Sequence, residues 1–203
     1  MIATKKTGRP RKFDKNEALT AAVNVFWAKG YDGASMKDLT EAMGINGPSL
    51  YSTFGDKREL YLQAIDSYAA NDSCAPLVAF ESEPDIELAV RAFIEAVIDY
   101  ATHHDSGAKG CFLASSVATS CGEVTGVQEL LNTAISDTDQ RLANRFEIEK
   151  KNGTLPADFP SLERARLMFD LRQGYVFRAR AGLSEDTMRE DLNHRARMIL
   201  AKP

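Results

Sequence analysis

The chain is short of the residues that build covalent or metal-held frameworks: its 203 residues include three cysteines, three histidines and one tryptophan. Cys74, Cys111 and Cys121 form no Cys-x-x-Cys pair. An odd, sparse set of this kind is expected of reduced thiols in a cytoplasmic protein, not of a disulfide scaffold. No apolar stretch approaches the ~18–20 residues that cross a bilayer. The basic N-terminus lacks the apolar core of a secretory signal, so no membrane partner is expected. No alternation of apolar and polar residues marks a strand, and no internal repeat is present, which leaves an all-α fold. A Gly-x-Ser-x-Gly elbow, a phosphate loop and a helix with metal-ligand spacing are missing too. Ser115, Ser116, His103, His104 and Asp105 can be assembled into a hydrolase triad only on paper. No enzyme, cofactor or metal is therefore expected; adjacent histidines on a helix point in divergent directions and read as a solvated helix end.

The charge is uneven. The net value is −4, yet residues 1–60 hold ten Lys or Arg against seven Asp or Glu, and the remainder hold fifteen against twenty-two. Residues 1–15 carry six basic side chains and one acidic. A basic end on an acidic body suits a polyanionic partner met at that end.

What the chain does contain is concentrated between Ser35 and Phe54, SMKDLTEAMGINGPSLYSTF. Ser35 with Asp38 makes a capping box, and Met36, Leu39, Ala42 and Met43 recur at helical spacing. Gly44 sits where a helix ends in a left-handed residue, with Ile45 behind it. Asn46 can cap a second helix whose first turn holds Pro48, where no amide donor is missed. Two short helices joined by a Gly-containing turn form a helix-turn-helix, which sets the second helix into a DNA major groove. Upstream, Asp14 and Glu17 read as another capping box, ahead of the stripe Leu19, Ala22, Val23 and Phe26. Downstream, Asp56 can cap a fourth helix bearing Leu60, Ala64, Ile65 and Tyr68.

From Phe13 to Ile65 the sequence resembles the TetR family of bacterial transcriptional regulators. The resemblance is carried by Phe26, by the Lys29-Gly30-Tyr31 turn, by the Gly-hydrophobic turn Gly44-Ile45, by the Tyr51/Phe54 pair and by Lys57. It implies an N-terminal helix-turn-helix domain and a larger C-terminal helical domain for ligand binding and dimerisation. It implies a double-stranded DNA operator, palindromic and bound by a homodimer through the two C-terminal helices, and a small-molecule effector that releases a repressor. The expected division is a disordered basic arm at 1–12, the DNA-binding domain at 13–55 and the body at 56–203.

The resemblance assigns Tyr51 and Lys57 to phosphates, roles that suit a phenol donor and a cation near helix starts. Ser35 offers its hydroxyl and nearby amides to another phosphate. Asn46, Pro48, Ser49 and Ser52 lie where base edges are reached, Pro48 through apolar contact alone. In the arm, Gly8-Arg9-Pro10-Arg11-Lys12 is similar to the core of AT-hook peptides. Arg9 and Arg11 would enter a narrow A·T-rich minor groove; the alternative is a solvated basic tail that touches phosphates loosely.

The body also reads as helices: Ile86 to Tyr100, a short apolar segment from Cys111 to Thr119, Val127 to Phe146, Leu162 to Ala179, and a last helix from Ser184 showing Met188, Leu192 and Ile199. The stripe Leu162, Ala165, Phe169, Arg172, Val176 and Ala179 suits either a helix pair from a second subunit or the chain's own core. In the family the body encloses an effector cavity, for which Phe93, Val97, Tyr100, Phe112, Ser116, Phe169, Arg172 and Tyr175 are candidate linings. Arg172 interrupts an apolar stripe and could meet an anion or an intersubunit carboxylate. Cys111 and Cys121, ten residues apart, raise a redox-responsive reading, and an architectural DNA-binding protein without a ligand is a further alternative.

Overall fold

A computed structural model of the chain describes residues 13–70, 74–103 and 111–201. The arm at 1–12, with Arg9, Arg11 and Lys12, lies outside them. The described residues form ten α-helices and no strand. The first four are α1 (Lys15–Gly33), α2 (Met36–Met43), α3 (Gly47–Phe54) and α4 (Lys57–Ala69). Their boundaries follow from local chemistry. Ser35 Oγ accepts the Asp38 amide at 3.1 Å while Asp38 Oδ2 accepts the Ser35 amide at 3.0 Å. Asp56 and Glu59 repeat that reciprocal pair at the head of α4, so orphan amides at both helix starts are satisfied. Asn46 Oδ1 accepts the Ser49 amide at 2.9 Å and starts α3. Gly44, at φ 65°, ends α2 in the left-handed region that side chains resist. At α1 the expected capping box is half formed: Asp14 Oδ1 accepts the Asn16 and Glu17 amides, but no return bond from Glu17 accompanies them. Gly30, at φ 72°, kinks α1 one turn before its end.

The body comprises α5 (Ala75–Ser82), α6 (Ile86–Thr102), a π-helical turn at Leu113–Val117 running into a 3-10 turn at Ala118–Ser120, then α7 (Val127–Lys151), α8 (Ser161–Arg180), α9 (Glu185–Arg189) and α10 (Leu192–Leu200). The single last helix expected from Ser184 is thus two. Its apolar residues Met188, Leu192 and Ile199 are all buried in the body's core, and α10 packs on α6 and α8. The α8 stripe is divided as well. Ala165, Arg172, Val176 and Ala179 are buried within the chain, Phe169 is half-buried and Leu162 is exposed. The exposed apolar residues of α8 lie elsewhere, with Phe177 at 73 % its most open.

Two cores result. One joins α5, α6, α7, α8, α9 and α10. The other joins α1 to α4 with Phe112, Val117, Val124 and Val127. Leu60, Tyr61, Ala64 and Ile65 of α4 belong to the second, so α4, which the sequence reading placed with the body, shares the core of the first three helices. A buried ion pair fixes the far side of the body. Arg145 Nε donates to Glu149 Oε1 at 2.9 Å, and its terminal nitrogens donate to the carbonyls of Phe80, Glu81, Glu83 and Pro84. Two of those carbonyls are in the last turn of α5 and two in the turn after it, and one guanidinium satisfies all four.

Candidate nucleic-acid interface and an adjoining cavity

Helix α3 is anchored by Leu50 and Phe54, both buried, which turns the rest of it outward. Pro48, Tyr51, Ser52 and Thr53 are exposed and Ser49 is half-buried. Tyr51 is 55 % exposed, an unusual amount for a large aromatic with no function to serve. Thr53 joins this face and was not among the expected contacts; its exposure follows from the helical register alone.

Several expected contacts are already engaged within the chain. Ser35 Oγ donates to Asp38 Oδ2 at 2.7 Å and accepts the Asp38 amide, so its hydroxyl is committed to the cap. The first-turn amides of Met36 and Lys37 remain for a phosphate at that end. Lys29 Nζ sits 2.6 Å from Asp38 Oδ1. That ammonium, with the Ser35 hydroxyl and amide, holds the Asp38 carboxyl well below the usual carboxylate range. Asn46 has its oxygen in the α3 cap, leaving only its amide protons for a base edge. Ser52 Oγ donates to the Ser49 carbonyl at 3.1 Å. Lys57 Nζ lies 4.6 Å over the Tyr31 ring and donates to the Asp32 carbonyl at 3.4 Å. It braces α4 against the end of α1 as well as standing beside α3.

On the other side of α4 is a cavity of about 360 Å³, lined by Ile65, Asp66, Tyr68, Ala69 and Ala70 of α4 and by residues of α5, α6, α7 and α8. Of the eight expected linings, Tyr100 and Arg172 belong to it. Phe169 instead lines an apolar groove between the π turn, α7 and α8, which shares Leu113, Ala134, Thr138 and Arg172 with the cavity. Phe93, Val97 and Tyr175 are core residues, and Phe112 packs among the rings of Trp27, Tyr61 and Tyr68. Ser116 Oγ donates to the Phe26 carbonyl at 2.9 Å, tying the π turn to α1. Helical periodicity reports burial, and burial here means packing more often than cavity wall. Sequence reasoning missed Tyr68, Cys74 and Asp137 as linings because they come from separate elements with no shared spacing.

Tyr68 and Tyr100 share a hydrogen bond between their hydroxyls. Burial pushes the Tyr100 hydroxyl up to about 12 and raises that of Tyr68 well above its ordinary value. Both phenols stay neutral at pH 7. Cys111 and Cys121 face different neighbours: Cys111 Sγ lies 3.7 Å from both Tyr68 Oη and Arg172 Nη2, while Cys121 Sγ donates to the Val117 carbonyl. His103 is joined by Asp99 and Glu185, whose ligand atoms all fall within 4.8 Å of one another. This is a carboxylate grouping that the sequence spacing did not reveal, but Arg189 already pairs with both acids.

The comparisons with known proteins agree with this geometry. The family described as bacterial regulatory proteins, tetR family, matches residues 18–64. The chain is 28 % identical to the HTH-type transcriptional repressor ComR of Escherichia coli K12 over 181 residues, covering 89 % of this chain and 86 % of that protein. It is 33 % identical over 112 residues to the repressor BdcR of the same organism, covering 54 % and 55 %. Among solved structures, a cysteine mutant of the TetR family regulator CifR in complex with 26 bp double-strand operator DNA superposes with a TM-score of 0.81 at 28 % identity, covering 93 % of this chain and 98 % of that one. With a capped helix-turn-helix at residues 35–54 and an outward α3, the chain carries the DNA-binding region of the tetR family at residues 18–64 and is similar over most of its length to TetR-family transcriptional regulators.

Proposed function

We propose that this chain is an effector-responsive repressor that binds a palindromic operator as a homodimer and leaves it when a small molecule fills the cavity beside α4. The carrying observation is the position of α4. Its C-terminal half walls the cavity through Ile65, Asp66, Tyr68, Ala69 and Ala70, and its N-terminal half shares the core of the DNA-binding head. Arg58 Nε also donates to the Thr125 carbonyl at 3.0 Å, linking α4 to the loop before α7. A ligand that shifts α4 therefore shifts α3, and it controls DNA only to the extent that it binds one α4 position better than the other.

In this reading Tyr51 and Lys57 contact phosphates. Pro48, Ser49, Ser52 and the Asn46 amide face bases, Arg9 and Arg11 reach the flanking minor groove, and Lys12 contacts DNA beside them. The second copy packs on the C-terminal helices, where Phe177 of α8 and Met198 of α10 are exposed, with half-buried Leu131, Ile135 and Phe169 on the adjoining α7 and α8 surface. The ComR and BdcR names as repressors and the operator complex of CifR support the direction of control. An architectural role without a ligand is disfavoured by a cavity of about 360 Å³, within the range of small-molecule sites.

The test is selection of a binding sequence from randomised duplex DNA, followed by sizing of the complex. Two chains on an inverted repeat with half-sites about 10 bp apart, or a multiple of that, is the expected result. A single chain on an asymmetric site would refute the proposal.

A further inference from the structure

Two arginines of the body are largely withdrawn from solvent, Arg172 buried and Arg145 nearly so, and they differ in one respect. Arg145 is surrounded by Glu149 and four backbone carbonyls. Arg172, 8 % exposed, lines the cavity, and its one hydrogen bond among the described residues runs from Nη2 to Cys111 Sγ at 3.7 Å. A thiol is a weak acceptor, and a guanidinium is always charged. Among the described residues no carboxylate pairs with Arg172. A buried cation in this condition is costly, and the cost persists in the sequence although a Met or Leu would fill the same space. Beside it stand the Tyr68 and Tyr100 hydroxyls, joined to each other. The guanidinium and this phenol pair thus share the lining of one cavity, with the guanidinium the main source of donors.

We infer that the effector is a small monocarboxylate with an apolar body, its carboxylate held by the Arg172 guanidinium beside the hydrogen-bonded Tyr68–Tyr100 pair. This rests on the cavity being the effector site. The planar guanidinium matches a carboxylate with two parallel bonds, and such charge-assisted pairs are the strong ones. The apolar part of the ligand meets Ile65, Leu77, Leu113 and Leu130. The lining also includes the exposed carboxylates of Asp66 and Asp137. They disfavour a ligand with more than one negative charge. The ion pair of Arg141 with Glu81 (Nη2 to Oε2, 2.7 Å) closes the α7 edge.

The experiment uses the full chain and matched probes: benzoate, phenylacetate and octanoate, each beside its neutral amide, titrated by calorimetry and by thermal shift. At least one acid should bind about 10- to 100-fold more tightly than its amide, the range expected of a hydrogen bond to a charged group. Arg172→Met should abolish that preference, and Arg172→Lys should retain part of it. Without ligand, Arg172→Met should melt no lower than the wild type, because it removes an unpaired charge. A fall of several degrees would mean an internal carboxylate partner and would overturn the inference. Equal binding of acid and amide, or no acid binding at millimolar concentration, would overturn it too. If neutral amides bind and Ala134→Trp removes them, the cavity reading survives without the carboxylate. If acids bind through Arg172 but leave operator affinity unchanged, the carboxylate site stands and the regulatory role of the cavity falls.

Discussion

Tyr61 and Ser120 are buried and hydrogen-bonded at 3.0 Å across 59 positions of sequence. Ser120 Oγ also donates its one proton to the Val117 carbonyl at 2.8 Å, so Tyr61 is the donor of the pair. The bond fastens α4 to the turn that follows the π-helical segment. Tyr61→Phe should therefore lower stability by about 0.5–1.5 kcal/mol, the net worth of one such bond. For a chain of this length that is a few degrees in Tm. Chemical denaturation with an unchanged m-value is the check.

On α3, Tyr51→Ala should leave stability within about 0.5 kcal/mol, because the side chain is exposed. It should weaken all DNA sequences alike and leave the salt dependence nearly unchanged, because a phenol neutralises no phosphate, whereas Lys57→Ala should flatten it by about 0.9 in log–log slope. Pro48→Ala and Ser49→Ala should instead change base preference in a randomised-operator selection. Lys57→Ala should do two things: lose a phosphate contact and release the brace over Tyr31, a cation–π contact of about 0.5–1 kcal/mol at such a site. Parallel measurement of melting and of the salt slope separates the two losses.

The buried pair in the body makes an opposite prediction to Arg172. Arg145→Met strands Glu149, whose side chain is 9 % exposed, and leaves four carbonyls of the α5 end without their donor. A loss of about 3–5 kcal/mol is expected, measured by urea denaturation. Stability equal to the wild type would show that the pair is not needed.

Asp38 governs the acid limb of the head. Its folded-state carboxyl is depressed, first by Lys29 and then by Ser35. The stability it contributes is therefore complete above its unfolded value of about 3.9 and is lost as pH falls toward the folded one. Asp38→Asn should flatten the dependence of stability on pH below about 4, followed by circular dichroism of α-helix content. An acid limb identical to the wild type would argue that the contact with Lys29 does not persist in solution.

Much of the head was legible because its signals are local. Ser35 with Asp38, Asn46, Asp56 and Gly44 each mark a helix end through a bond spanning no more than five residues. The all-α class followed from periodicity for the same reason. The cavity was not legible. It is assembled from α4, α5, α6, α7 and α8, and nothing in the spacing of Tyr68, Cys74, Asp137 and Arg172 brings them together. Phe93 and Val97 were expected there because an apolar stripe looks the same whether it faces a void or a neighbouring helix. Ser116 was expected to line the cavity but holds the Phe26 carbonyl, so a bulky residue at 116 would disturb the head directly. The break between α9 and α10 left no proline or glycine to read.

The central claim is that the cavity and DNA are linked through α4. The direct test is fluorescence anisotropy of the selected operator with the full chain, at one salt concentration, with and without a saturating ligand whose binding Ala134→Trp abolishes. The account predicts operator affinity at least about 10-fold weaker with ligand, and ligand affinity weaker by the same factor on operator-bound protein, since coupling between two binding sites is reciprocal. Equal operator affinity in the two titrations, with the cavity shown to be filled, would contradict it.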